Sequence, residues 1–409
     1  MAGPAAPAPR ARVLVIGAGF AGAALAIELT SKGLDATLVD CKDYMEVVFA
    51  NARTLVEPAV ADQAIIPIEE LKPHGKFVRG YVTELHPRRA LLADGTALEF
   101  DYAAVCSGSS QAFGKGAAAS VAERKAELKA QHEALAAAAA VVVVGGGSLG
   151  VELAGEILTD MPGKEVVLVH SGDRLMPALP PRASRLAMSW LQSKNCKVIL
   201  NDRLAGAPPS PAAPAPAAGP LATASGRPLP AGALVLWATG TRPATGLMKA
   251  ALAETLDAAG RIKVGPTLQV VGHPRLFALG DAADVPEEKL AYLAQLHAPV
   301  AASNIASLAA AEAAAAAEAG AGGDAAAAAA AGGKQQQPTL SVWQPGRGMP
   351  MVMIVSLGRD YCIGHFGCFT FGAWLLSKVK DMGMFIARTR RALCAPQPAA
   401  AAAATPQLA

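Results

Sequence analysis

The chain is poor in cysteine, in aromatics and in net charge. Of its 409 residues six are Cys, 5% are aromatic, and 36 Lys+Arg face 33 Asp+Glu. Six scattered cysteines do not make a disulfide framework and are expected as reduced thiols. The balanced charge provides no basic stripe to neutralise phosphates, so nucleic acid is not an expected partner. No uninterrupted apolar run of about 18 residues stands out, which argues against a transmembrane helix. The start, Met1-Ala2-Gly3-Pro4, lacks an apolar leader core, and Ala2 stands where N-myristoylation requires glycine. These absences lead to the expectation of a cytoplasmic protein, long enough for two or three domains.

What is present is a glycine fingerprint, twice. Val13-Leu14-Val15-Ile16-Gly17-Ala18-Gly19-Phe20-Ala21-Gly22 and Val141-Val142-Val143-Val144-Gly145-Gly146-Gly147-Ser148-Leu149-Gly150 each follow an apolar strand and open a helix. Gly17 and Gly145 suit a tight turn, and Gly19 and Gly147 the close approach of a pyrophosphate. Gly22 and Gly150 let the helix pack on its strand. Asp40 ends the second strand, where a carboxylate accepts from ribose hydroxyls. Its alternative role is a strand-end cap. His273 to Asp281 reads as a second flavin fingerprint ending in Gly280-Asp281, and Leu234–Gly240 as a strand and connector whose earlier counterpart is Cys106-Ser107-Gly108. Together these predict FAD and NAD(P)H as cofactors.

The strand Glu165–Val169 ends in His170, neither acid nor strong base, so NADH and NADPH are both expected to be accepted; the plain alternative is an exposed strand end. Glu152 follows Gly150 by two residues. It is placed either to face the nicotinamide amide or to favour the helix dipole. Cys41 has no second cysteine at the spacing of a redox-active dithiol, so a thiol relay is not expected. Cys362 and Cys368 lack metal-site spacing and are read as small core residues on one strand face.

The predicted fold is α/β. It has two Rossmann-like dinucleotide-binding domains, the NAD(P)H domain inserted in the FAD domain, plus a small α+β C-terminal domain. The boundaries are 12–110 with 266–308 for FAD and 111–265 for NAD(P)H, the latter carrying a Pro/Ala-rich insertion at 205–233. An Ala/Gly-rich linker at 309–336, a C-terminal domain at 337–394 and a tail at 395–409 complete the chain.

Four segments, Val39–Asp43, Val143–Glu152, Leu168–Ser171 and Lys289–Ala298, resemble the apoptosis-inducing-factor-like flavoproteins. The likeness is to their ferroptosis-suppressor branch, related to type II NADH:quinone oxidoreductases. The resemblance implies FAD binding, hydride uptake from NAD(P)H, and reduction of ubiquinone- or vitamin K-type quinones to radical-trapping quinols. It implies that Gly17, Ala18, Gly19, Phe20, Ala21, Arg53, Val82 and Asp281 contact FAD, with Lys42 near its adenosine half. Glu152 and Lys378 would be the catalytic residues beside the isoalloxazine. Two rival readings stay open: reduction of another acceptor such as ferredoxin or monodehydroascorbate, and a signalling flavoprotein with slow turnover. Residues 373–394 interleave apolar residues with Lys378, Lys380, Arg388, Arg390 and Arg391. They suit either peripheral contact with a membrane or lipid droplet, or a helix packed on the preceding sheet. Nothing in the sequence fixes the oligomeric state.

Overall fold

Val13–Ile16, apolar at every position, cannot alternate between core and solvent and is buried along its length. It lies inside a six-stranded sheet. The strand order is Gln269–Val270, His273–Ala278, Tyr102–Val105, Arg12–Ile16, Asp35–Asp40, Lys76–Arg79. All neighbours pair in parallel except the antiparallel edge between the first two. The computed structural model describes residues 10–111, 113, 118–206, 219–320, 338–346, 352–373 and 382–396. Helix Phe20–Ser31 packs on this sheet and on helix Ala291–Gly320. A three-stranded antiparallel sheet, Val82–Leu85, Arg89–Leu92 and Ala97–Glu99, joins the same core.

The valine run 141–144 builds the second unit in the same way. Its parallel sheet has the order Lys197–Ile199, Glu165–Val169, Ala140–Val144, Leu234–Trp237, with helices Ser148–Asp160 and Pro181–Ser193 in its core. The chain passes between the units through an antiparallel ribbon, Ser109–Gln111 against Thr241–Pro243. Helix Val121–Ala137 starts at a capping box made by Ser120 and Glu123. It docks on the hairpin Tyr44–Glu46/Ile65–Pro67, where Glu46 Oε1 accepts from Arg124 Nε (3.0 Å) and Nη2 (2.7 Å).

Several expectations need correction. The stretch assigned to a linker from 309 begins as helix: Ala291–Gly320 is continuous, Ala309 packs against the core, and Glu312 pairs with Arg275 at 2.8 Å. Alanine is the best helix former, so low complexity did not mean loss of structure. Residues 321–337 lie outside the described set. The Ala291–Glu318 stretch is also long and apolar enough, by length and composition alone, to cross a membrane. Ala298, Ala301, Ala302 and Ile305 are nevertheless buried in the first unit's core. Of the 205–233 insertion, 207–218 lie outside the described residues. The remainder folds back through bridges Leu204 to Thr223 and Ala222 to Pro228, adding Leu229 and Ala233 to the core.

The C-terminal segment divides. Its sheet, Val352–Ser356, Cys362–Phe366 and Phe369–Ala373, buries Val355, Leu357 and Ile363 against the second unit. Its helix, Met382–Leu393, buries Ile386 and Leu393 in the first unit, with Arg390 paired to Glu70, so its described apolar residues are covered there rather than by the preceding sheet. Residues 338–346 also belong to the first unit, since Asn304 grips Ser341 through both N–H and C=O. Cys362 is buried, but Cys368 stands exposed in the turn that breaks the strand alternation, so the two do not share a face. Lys378 and the rest of 374–381, and 397–409 of the tail, lie outside the described residues.

Candidate active site

Gly17 takes φ +103°, donates its N–H to Val39 O at 2.8 Å, and leaves no room for a side chain, since a Cβ would lie 2.5 Å from Cys106 O. A Cβ on Gly22 would overlap the Gly17 carbonyl oxygen, so the helix rests directly on the turn. Gly19 differs: nothing lies within 4 Å of its would-be Cβ, and it caps helix Phe20–Ser31 with no side chain. A helix N-terminus in that condition offers open amides and a positive dipole end to an anion.

Asp40 closes the loop from the next strand. Its Oδ2 accepts from Ala18 N at 2.7 Å and its Oδ1 from Lys42 N at 2.9 Å. Each oxygen keeps a further lone pair for a ribose hydroxyl. Lys42 Nζ lies 5.2 Å from the Tyr44 ring centroid, and Gly80 N donates to Asp40 O just before the buried Val82. From the other side Gly280, at φ +66°, approaches Ala21, and Asp281 Oδ2 accepts from Ser109 Oγ at 2.6 Å. Gly108, at φ +69°, accepts from Ala244 N at 2.9 Å. Gly17 to Gly22, Asp40, Gly108 and Gly280-Asp281 thus gather at the carboxyl ends of parallel strands, where dinucleotides bind in such sheets. An uncapped amide cradle beside a ribose-type acid fits FAD.

The second loop repeats the geometry. Gly145, at φ +113°, donates to Val169 O at 2.8 Å; a Cβ on Gly150 would overlap Gly145 O, and Gly147 faces open space without a side-chain cap. His170 Nδ1 accepts from Gly146 N at 3.1 Å, which leaves the ring proton on Nε2. That Nε2 is buried without a hydrogen-bond partner among the described residues, and burial holds the ring below its ordinary pKa. A neutral ring therefore borders the loop. The Arg174 guanidinium nearby donates to Leu179 O and Pro177 O, each at 2.7 Å, which fixes its position.

Two residues assigned from the resemblance have unexpected partners. Glu152 Oε1 accepts from Ser356 N (3.1 Å) and Oγ (3.3 Å), across to the C-terminal sheet. Arg53 is buried, with its guanidinium on Glu156 (2.6 Å) and Asp160 (2.9 Å) of the second loop's helix. Arg359 adds bonds to Asp160 (2.7 Å) and Glu57 (3.0 Å), so three parts of the chain meet at that helix. Ser109, Glu156 and Ser356 escaped the sequence reading. Each belongs to no motif and gains its role from a partner more than 100 residues away.

The cysteines form no relay. Cys41 is exposed and in no disulfide, with burial and neighbouring Asp40 raising its thiol, while burial pushes the Cys106 thiol up and that of Cys196 up to about 12. No cluster of His, Cys, Asp or Glu among the described residues suits a metal. Iodoacetamide at pH 8 is expected to label Cys41 and Cys368 ahead of Cys106, Cys196 and Cys362 by peptide mapping. Flavin bleaching by NAD(P)H should survive the labelling; its loss would reinstate a thiol step.

Comparison with known proteins agrees with this geometry. The chain is 29% identical to ferroptosis suppressor protein 1 of Xenopus tropicalis over 392 residues, covering 92% of this chain and 94% of that one. Its fold matches NDH2 from Plasmodium falciparum in complex with NADH (TM-score 0.68, 12% identity, 94% and 97% covered). It also matches the sulfide:quinone oxidoreductase of Aquifex aeolicus (TM-score 0.70, 15% identity, 95% and 93% covered). The family model described as pyridine nucleotide-disulphide oxidoreductase matches residues 11–316. The chain belongs to that family, as an FAD-dependent NAD(P)H oxidoreductase.

Proposed function

We propose that this protein uses NADH or NADPH to reduce a quinone of the ubiquinone or vitamin K type, giving an antioxidant quinol. The observation that carries the choice of acceptor is an aromatic path leading away from the FAD loop. Phe20, in the fingerprint itself, lies 5.8 Å from Phe49, which meets Phe385 of the terminal helix edge-on at 6.3 Å. Such a path suits an apolar acceptor. The relatives named as a ferroptosis suppressor and a sulfide:quinone oxidoreductase support the same reading.

In this reading FAD, when bound, supplies the two-electron chemistry. Gly17, Ala18, Gly19, Phe20, Ala21, Gly22, Asp40, Lys42, Val82, Gly108, Gly280 and Asp281 hold it, while Gly145, Gly147, Gly150 and His170 hold the nicotinamide nucleotide. Glu152, oriented by Ser356, borders the nicotinamide. Arg53 serves by fixing the second loop's helix, and Lys378 keeps the role that the resemblance implies. In this reading 12–110, with the chain from 266 to the end of helix Ala291–Gly320, forms the FAD domain, and 111–265 the NAD(P)H domain. Residues 373–394 contact a membrane or lipid-droplet surface, with Arg388 and Arg391 exposed on the terminal helix.

The deciding experiment is steady-state oxidation of NADH and NADPH by the FAD-loaded protein, with and without a short-chain quinone. Because His170 provides neither a repelling nor an attracting charge, kcat/KM for the two nucleotides should agree within about tenfold. Quinone should accelerate both. Flavin that bleaches yet ignores quinone would overturn the choice of acceptor.

A further inference from the structure

We infer that His297, held by Glu287, is a positioning residue for FAD: its Nδ1 fixes the amide of Gly280 and so sets the turn that presents Asp281. The inference rests on the FAD assignment and assigns a task to a residue outside both glycine loops. Gly280 is left-handed, and a Cβ there would come within 3.1 Å of Ala294 Cβ, so backbone and helix Ala291–Gly320 are nearly in contact. A buried amide needs an acceptor. His297, three residues beyond Ala294 and fully buried, provides it, with Nδ1 3.2 Å from Gly280 N.

The direction of this bond is fixed by what lies behind it. For Nδ1 to accept, the ring proton must reside on Nε2, and Nε2 lies 2.7 Å from Glu287 Oε1. The other carboxylate oxygen accepts from Trp343 Nε1 at 2.9 Å, and the Trp343 ring meets His297 edge-on at 4.8 Å. Burial alone would raise the Glu287 pKa. The hydrogen bonds from His297 and Trp343, with the nearby charge of Lys289, outweigh it and keep the group a carboxylate. Lys289 Nζ in turn donates to Ala283 O (3.0 Å) and Val285 O (2.7 Å), fastening the loop that carries Glu287. Trp343 N donates to Pro266 O at 2.7 Å, so this indole too is held. The order carboxylate, Nε2–H, Nδ1 lone pair, Gly280 N–H runs in one direction only; reversing it sets two N–H groups against each other.

Two replacements of equal polarity separate this role from simple packing. The amide oxygen of Asn reaches the place of Nδ1, whereas the terminal amide of Gln reaches that of Nε2. Apo-proteins of the wild type, His297→Asn, His297→Gln and His297→Leu are titrated with FAD by quenching of protein fluorescence, and their thermal midpoints are recorded without FAD. Asn should hold the FAD dissociation constant near the wild-type value, while Gln and Leu should weaken binding by about tenfold or more. If Leu does not fold, the Asn and Gln pair carries the comparison. Equal FAD affinity in all variants overturns the positioning role. So does a loss that is the same for Asn and Gln and tracks the thermal midpoints. A wild-type protein that binds no FAD overturns the cofactor assignment, and this role with it.

Discussion

Gly150→Ala is expected to cut reduction by NADH and NADPH by roughly 10- to 100-fold while the purified protein keeps its FAD. The added methyl would overlap Gly145 O and lie 3.4 Å from Ala238 Cβ, neither of which can rotate aside. The helix Ser148–Asp160 must lift from its strand, and the N-terminal amides proposed to meet a pyrophosphate move with it. Overpacking of this kind costs about 1–3 kcal/mol, and each 1.4 kcal/mol is a factor of ten. Flavin absorbance of the purified protein, followed by its bleaching on mixing with nucleotide, separates the two sites. The matching change at Gly22 reverses the pattern, because there the methyl would overlap Gly17 O and FAD would be lost first. Normal bleaching in Gly150→Ala would show that the second loop does not receive the nucleotide.

Arg124→Met should lower stability by about 3–5 kcal/mol, the usual result of leaving one member of a buried pair alone. Arg124 is 1% exposed and Glu46 is 5% exposed. The guanidinium makes two bonds to one carboxylate oxygen and a third to Glu127 Oε2 at 3.0 Å. Neither charge can recover its hydration where it lies, so removing Arg124 leaves Glu46 in an apolar setting with Tyr44 and Ile65 nearby. The double replacement Arg124→Met with Glu46→Leu should regain most of the loss. Urea midpoints of the FAD-loaded proteins test both. A single variant as stable as the wild type would mean that the helix Val121–Ala137 is held by its apolar contacts alone.

The two glycine loops and Asp40 were legible because their requirements are local. A left-handed turn, a close helix and a strand-end acid are all decided within a few dozen residues. Arg53 and Glu152 were legible as residues but not as partners. Glu156 and Ser356, which engage them, lie 103 and 204 positions away, and no periodicity encodes such distances. The division of the C-terminal segment was hidden for a related reason. A strand with Val355 and a helix with Ile386 both display an apolar face, but neither pattern names the surface that will cover it. Alanine misled in the other direction, since a run that looks unstructured by complexity is also the composition that most favours helix.

The ribbon Ser109–Gln111 with Thr241–Pro243 has a consequence for how such proteins diversify. It sets Ser109 opposite Pro243 and Gln111 opposite Thr241, so the intervening chain departs and returns at adjacent points. A segment whose ends are neighbours can be exchanged as a cassette without altering the register of the sheet it leaves. If His170 borders the nicotinamide nucleotide as proposed, coenzyme preference would travel with that cassette. The clasps that cross its border, among them Glu46 with Arg124, Arg53 with Glu156 and Asp160, Arg359 with Asp160, and Glu152 with Ser356, would have to be matched in the recipient.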